Sequence, residues 1–517
     1  MQTRRSGAAL LIAALAGALP SLDTSVNIAL PAITDAFDLD VGEVSWIVVS
    51  YVLTYAALLL GCGRLADRVG HRRVLLAGLL TSVVGFAACA SAPTFPWLVA
   101  ARTVQGAGAG LLLAAAPALV TLAVPPELRS RALATFQLCT AVGFALGPPI
   151  GGLVLGRWSW PAVWWFRVPV ALVLIGLVGW AAHAARASAR AATPASSYPT
   201  DPPPTAQATG GPVPLDLPGV ASLAVALGGL LLALSRGREL GWTSPLVLGS
   251  LVVGLAAAGA FVVIERRSPA PILDLSLLRR GGFALANALN LAANASWFVV
   301  LLLVPYYLLT VRGLGTVAGG VALAATPVGM AIASPAAGGL AARLAPGPLC
   351  AAGLAIEAAG LAAVSRLTAT TPMALVLVAL AIVGLGAGLF LVPNQSFVMG
   401  SIPRSAQGVA GGVIQTTRTV GVLLGVAGAG TLFEARVAAY TPSSPAGDGS
   451  AGQADASFMA AFRDVFVAAA LTAAAAALIA LLRRGTQAEP QGDDLSGTPS
   501  SRASRASRGS RDGTAAA

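Results

Sequence analysis

At 517 residues the chain is 56% hydrophobic and only 10% charged, with a mean hydropathy of +0.79. That is more apolar surface than a soluble core can hide. The 32 basic residues behind the net charge of +11 are all arginine, which excludes a phosphate-binding P-loop and a Schiff-base site; no basic patch interleaved with aromatics marks a nucleic-acid binder.

Apolar runs long enough to cross a bilayer recur along the whole length, the pattern of an all-α polytopic membrane protein. The first, α1, is expected at about 8–31. Arg4 and Arg5 before an apolar stretch also fit a signal peptide, but the many later spans favour an uncleaved helix. Five more follow near 43–62, 74–92, 97–122, 131–155 and 162–183 (α2 to α6), within about four residues at each end. An Ala/Pro/Ser/Thr stretch over about 184–216 has no apolar period and reads as a linker. Two spans come next, α7 near 217–235 and α8 near 246–265. Six close the membrane part, roughly 283–310, 317–341, 347–366, 373–398, 406–432 and 460–482 (α9 to α14). The tail from 483 is polar, with Arg502, Arg505, Arg508 and Arg511 among serines, and reads as disordered.

Arginine placement tests this count. With the N-terminus inside, the inner segments hold 22 arginines and the outer ones 7, while Arg102, Arg167 and Arg418 fall within spans. The bias predicts both termini in the cytoplasm. Cys62, Cys89, Cys139 and Cys350 lie in or at the ends of apolar runs without metal-ligand spacing, so they read as small packing residues and no metal is expected.

An internal repeat is visible. Gly63–Val69 is echoed by Gly338–Leu344, Gly108 and Gly110 by Gly384 and Gly386, and Gly143/Gly147 by Gly421/Gly425. These echoes predict two six-helix halves, 1–183 and 266–482, joined by the 184–216 linker and the inserted pair 217–265, with 483–517 as tail.

Several motifs carry a family resemblance. The stretch Gly63-Arg64-Leu65-Ala66-Asp67-Arg68-Val69-Gly70-His71-Arg72-Arg73 resembles the signature between the second and third helices of the major facilitator superfamily. Leu22-Asp23-Thr24-Ser25-Val26-Asn27-Ile28-Ala29-Leu30-Pro31 is similar to a first-helix motif of the fourteen-helix drug:proton antiporters. Gly143-x-x-x-Gly147-Pro148-x-x-Gly151-Gly152 resembles their helix-5 motif, which in this superfamily marks exporters. Arg102-x-x-Gln105-Gly106 resembles the superfamily's helix-4 motif linked to proton transfer. The resemblance implies a cytoplasmic latch at Gly63, Asp67, Arg68, Gly70, Arg72 and Arg73. In the second copy Ala342 replaces the acid. One departure stands out: Arg167 occupies a position where the family usually has Asn.

Ionisable groups at membrane depth each cost roughly 2.5–3.5 kcal/mol on insertion scales, so each needs a partner or a task. At 1.5 Å per residue, Asp23 and Arg102 both sit ~8–12 Å from the outer boundary and are candidates to pair. Glu357 and Arg418, at similar depths in α11 and α13, are a second candidate pair. Asp23, Arg102 and Glu357 are the expected proton-coupling residues; Asn27, Gln105, Asn394 and Arg418 are expected around a cavity. Together these features imply a proton-coupled exporter of drugs, antibiotics or similar small amphipathic compounds. It is expected to be a monomer in the cell membrane, driven by the proton gradient without cofactor and without a nucleic-acid partner. An importer or facilitator of the same superfamily is the alternative. A membrane receptor or enzyme is more remote, since no nucleophile triad or metal set is present.

Overall fold

The computed structural model describes residues 2–122, 124, 129–191, 217–237, 240–241, 243–268, 281–341, 343–401, 407–441 and 451–482. Every regular element among them is helical. Thirteen segments are long and apolar enough to cross a membrane. Six of them precede the linker: α1 (Leu10–Phe37), α2 (Val41–Val69), α3 (His71–Ala90), α4 (Phe95–Leu122), α5 (Arg129–Arg157) and α6 (Arg167–Ala191). The later ones are α8 (Pro245–Arg267), α9 (Gly281–Tyr306), α10 (Thr316–Ala341), α11 (Pro346–Val364), α12 (Met373–Gly400), α13 (Gln407–Tyr440) and α14 (Ala451–Leu482). A fourteenth helix, α7 (Leu217–Arg236), has the shorter apolar stretch Pro218–Leu230 and packs along α8. Its backbone comes close enough that a Cβ on Gly229 would stand 2.7 Å from the Ser250 carbonyl oxygen. Through α7 the pair rests against α2 and α13.

Several helices run past their expected ends, α2 to Val69, α13 to Tyr440 and α14 from Ala451, and two further differences have a plain physical reason. The first span is not one smooth helix: Leu19–Ala29 winds as a 3₁₀ helix between α-helical ends. Pro20 removes a donor there, and the Ser21 and Thr24 hydroxyls donate back to the carbonyls of Ala18 (2.5 Å) and Ser21 (3.1 Å). A 3₁₀ run of this length inside a span is the mark of a hinge or of strain. The sixth helix runs on to Ala191, because its alanines and arginines are strong helix formers. The linker therefore loses its first residues to α6; its remainder, 192–216, and the tail from 483 lie outside the described residues.

The halves repeat in their contacts as well as their order. Gly106 and Gly110 of α4 seat against Tyr51 and Tyr55 of α2, and Gly108 against Ser82 of α3. In the second half Gly384 and Gly388 of α12 seat against Thr326 and Met330 of α10, and Gly386 against Glu357 of α11. Equivalent glycines are thus Gly106 and Gly384, Gly108 and Gly386, Gly110 and Gly388. That register differs by two residues from the one the sequence suggests for this pair of helices. It equals the spacing of Gly143 and Gly421, which seat against Ser21 of α1 and Leu291 of α9.

The halves meet at the end where α1 finishes and α2 begins. Thr34 and Tyr306 share a 2.6 Å hydrogen bond, and the Gly42 N–H donates to Glu434 Oε1 at 2.6 Å. The second of these places a carboxylate from α13 on the positive N-terminus of α2.

Candidate functional site

The 3₁₀ stretch of α1 carries Asp23 to the centre of a polar cluster in the first half. Arg102 of α4 grips it with both terminal nitrogens, Nη1 to Oδ1 and Nη2 to Oδ2, each at 2.8 Å. A fork-to-fork pair of this kind is the strongest geometry available to a carboxylate. Gln105, one turn along α4, donates to Oδ1 at 2.8 Å. Arg167 donates to the same oxygen at 2.8 Å from the start of α6, and its Nη2 donates to Ser25 Oγ.

Both guanidinium side chains are 1% exposed, while that of Asp23 is 14% exposed. The carboxylate is therefore the part of the cluster that reaches the central cavity, and it lines that cavity with Thr24, Asn27 and Tyr51. Arg102 is the better satisfied cation. Its Nε donates to the Ile47 carbonyl at 2.8 Å, Nη1 also reaches Gln105 Oε1 at 2.7 Å, and its plane lies over the Tyr51 ring at 4.4 Å. Trp164 donates to the same Gln105 oxygen at 3.1 Å. Arg167 lies 5.6 Å from the Phe86 and Phe166 rings, but its Nε has no partner among the described residues.

One carboxylate thus holds two buried guanidiniums. Removing a partner from a buried pair costs about 3–5 kcal/mol, so Arg102→Gln is expected to lower the unfolding midpoint of the detergent-solubilised protein strongly. Arg167→Asn is expected to lower it least, since it leaves the bidentate pair and removes the surplus charge. Thermal unfolding of the two variants side by side checks that order.

The chain as a whole has known relatives. The model of the Major Facilitator Superfamily matches residues 9–426. The chain belongs to the major facilitator superfamily. It is 30% identical to the methylenomycin A resistance protein of Streptomyces coelicolor over 430 residues, 83% of this chain and 86% of that protein. It is also 30% identical to the multidrug resistance protein Stp of Mycobacterium tuberculosis over 416 residues, 80% and 73% of the two chains. Among solved structures it resembles a bacterial homologue of the human lysosomal transporter Spinster in an inward-facing, occupied conformation. That match has a TM-score of 0.60 and 15% identity, and covers 92% of this chain and 95% of the other.

The other residues singled out in this facilitator's sequence fall in distinct places. On α5, Gly143, Gly147 and Gly151 share a face by their four-residue spacing and press on the 3₁₀ stretch of α1. A Cβ on Gly151 would stand 2.5 Å from the Ser25 carbonyl oxygen, and one on Gly147 would stand 3.1 Å from the Ser25 nitrogen. One residue round, Pro148 and Gly152 face α10 of the other half, at Gly320 and Thr316. The motif is a two-sided seam, joining α1 to α5 and α5 to the second half.

In the α2–α3 turn, Gly70 has a φ of +100°, a conformation that favours glycine. Arg68 and Arg73 are exposed and Arg72 is half-buried, while Gly63 faces open space. The side chains of Arg64 and Asp67, and with Asp67 the acid of the expected latch, lie outside the described residues.

Glu357 and Arg418 are not brought together. Glu357 is fully buried between α11 and α12, neither of its oxygens has a hydrogen-bond partner among the described residues, and it does not line the central cavity, as Arg418 does. Similar depth in two helices does not place their side chains on facing sides. Asn394 is 2% exposed, and its amide nitrogen has no partner among the described residues. The second half has instead a neutral polar ladder: Asn287, Asn290 and Asn294 on α9, with Asn290 donating to Thr417 Oγ1 of α13 at 3.0 Å. The spacing Asn287-x-x-Asn290-x-x-x-Asn294 on one face of an apolar helix was the available signal for it.

Proposed function

We propose that this facilitator exports small amphipathic compounds, drugs or antibiotics among them, in exchange for protons. The cavity-lining carboxylate of Asp23, held by two buried arginines, carries this reading. A proton bound at Asp23 removes the charge that both guanidiniums grip. The 3₁₀ stretch that bears Asp23 is also the surface on which the α5 glycines sit, and α5 in turn forms the seam with α10. Release of the grip thus reaches the contact between the halves through packed elements, as a rocking mechanism requires. The names of the relatives, resistance proteins in Streptomyces and Mycobacterium, favour export over import. The arginine bias puts both termini in the cytoplasm of a cell-membrane protein, so the end at which the halves meet faces outward.

Uptake into everted vesicles with an imposed pH gradient tests this reading. Accumulation of an exported compound is expected to collapse when an ionophore dissipates the gradient. Accumulation that survives it contradicts antiport.

Glu357, buried between α11 and α12, is a second carboxyl at membrane depth. Because it makes no hydrogen bond among the described residues that a neutral amide would lose, Glu357→Gln is expected to keep the unfolding midpoint or raise it. If Glu357 serves coupling as well, the same variant slows gradient-driven uptake without loss of folded protein.

A further inference from the structure

The central cavity lies between the two halves and holds a second charged group, Arg418 of α13 from the half opposite Asp23. We infer that Arg418 receives an anionic group of the cargo, so that the compounds carried best are organic anions, a carboxylate or acidic phenol on an apolar body. The inference rests on the reading of this chain as a transporter with this cavity as its cargo site, and it narrows the substrate class.

The charges around the cavity point that way. Both oxygens of Asp23 are taken up by Arg102, Arg167 and the Gln105 amide. A cationic cargo group would have to displace two guanidiniums to reach that carboxylate. Arg418 is half-buried and pairs with no carboxylate among the described residues. Three guanidiniums therefore stand at or behind the cavity wall against one carboxylate, and the surplus positive charge faces the space through Arg418.

A guanidinium at membrane depth without an anion is costly, and a carboxylate is the group whose geometry matches its fork. Neutral donors flank it. Gln415 lies one turn earlier on α13, and Tyr55 of α2 stands close to both Arg418 and Thr419. The rest of the wall is apolar, with Phe144, Phe298 and Leu301 able to pack a ring system. A compound with one acidic group and a flat apolar body satisfies Arg418 and this wall together.

Fluorescein and rhodamine 123 make a direct test, being xanthenes of similar size that are anionic and cationic at neutral pH. Equilibrium binding to the purified full chain in detergent, read by fluorescence polarisation, is expected to favour fluorescein at least tenfold. Arg418→Gln is expected to weaken fluorescein about tenfold and to leave rhodamine 123 within about twofold, whereas Arg418→Lys retains most of the fluorescein affinity because the charge stays. The unfolding midpoint of each variant establishes that it is folded. Tighter binding of rhodamine 123, absence of saturable fluorescein binding, or equal losses for both dyes in Arg418→Gln would overturn the inference. Fluorescein binding without gradient-driven flux keeps this inference and removes the export reading. Driven flux of rhodamine 123 without fluorescein binding does the reverse.

Discussion

Asp23→Asn is expected to reduce gradient-driven accumulation in everted vesicles to the level of vesicles lacking the protein, and to destabilise the fold by about 3–5 kcal/mol. The two effects have one origin. The carboxylate is the only acid in contact with Arg102 and Arg167 among the described residues, and each guanidinium side chain is 1% exposed. An amide in its place still offers one oxygen but no charge, which leaves two buried cations side by side.

A structural role and a coupling role are separable by a second substitution. In Asp23→Asn with Arg167→Asn one of the two stranded cations is gone, so about half of the lost stability is expected to return. Driven accumulation is expected to stay absent, because no group at that site exchanges protons. Unfolding midpoints and vesicle uptake on the two variants measure these separately. Undiminished accumulation in either variant removes Asp23 from the coupling mechanism, whatever happens to the fold.

The partners of Asp23 were legible in the sequence to different degrees. Asp23 and Arg102 can be matched from depth alone, since both lie close to the same end of their spans and each needs an opposite charge. Gln105 follows from Arg102, three residues away on the same helix face. Arg167 could be seen only as a departure from a familiar pattern. Its direction depends on the turn Trp160–Phe166 that precedes α6, where Trp164 is fully buried, and no periodicity reports that rotation. The same lack of rotational information explains Glu357 and Arg418, which match in depth but face a helix contact and a cavity respectively. The 3₁₀ stretch was signalled by Pro20, yet a single proline does not tell a kink from eleven residues of tighter winding.

Gly152→Val and Gly320→Val are each expected to open the end of the molecule where the halves meet, shifting the population of the closed state by about 5- to 150-fold. The added side chains have no room. A Cβ at Gly152 would run into the Thr316 carbonyl oxygen and stand 3.0 Å from its carbonyl carbon. One at Gly320 would meet the Pro148 carbonyl in the same way and lie 3.3 Å from Gly152 Cα. These neighbours are backbone atoms, so no rotamer change relieves the clash, and overpacking of this kind costs about 1–3 kcal/mol. The cost falls only on the conformation in which α5 and α10 touch, and a difference confined to one state shifts the balance between states. Spin labels at Ser159→Cys and Gly315→Cys, in a chain whose four cysteines are replaced, report the separation of the two helix ends. Their distance distribution is expected to gain a long component in both valine variants. It is expected to stay unchanged in Gly176→Ala, where a Cβ meets nothing within 4 Å. An unaltered distribution in Gly152→Val would mean that the α5–α10 contact yields without parting. The seam would then be a packing surface and not the place where alternating access closes.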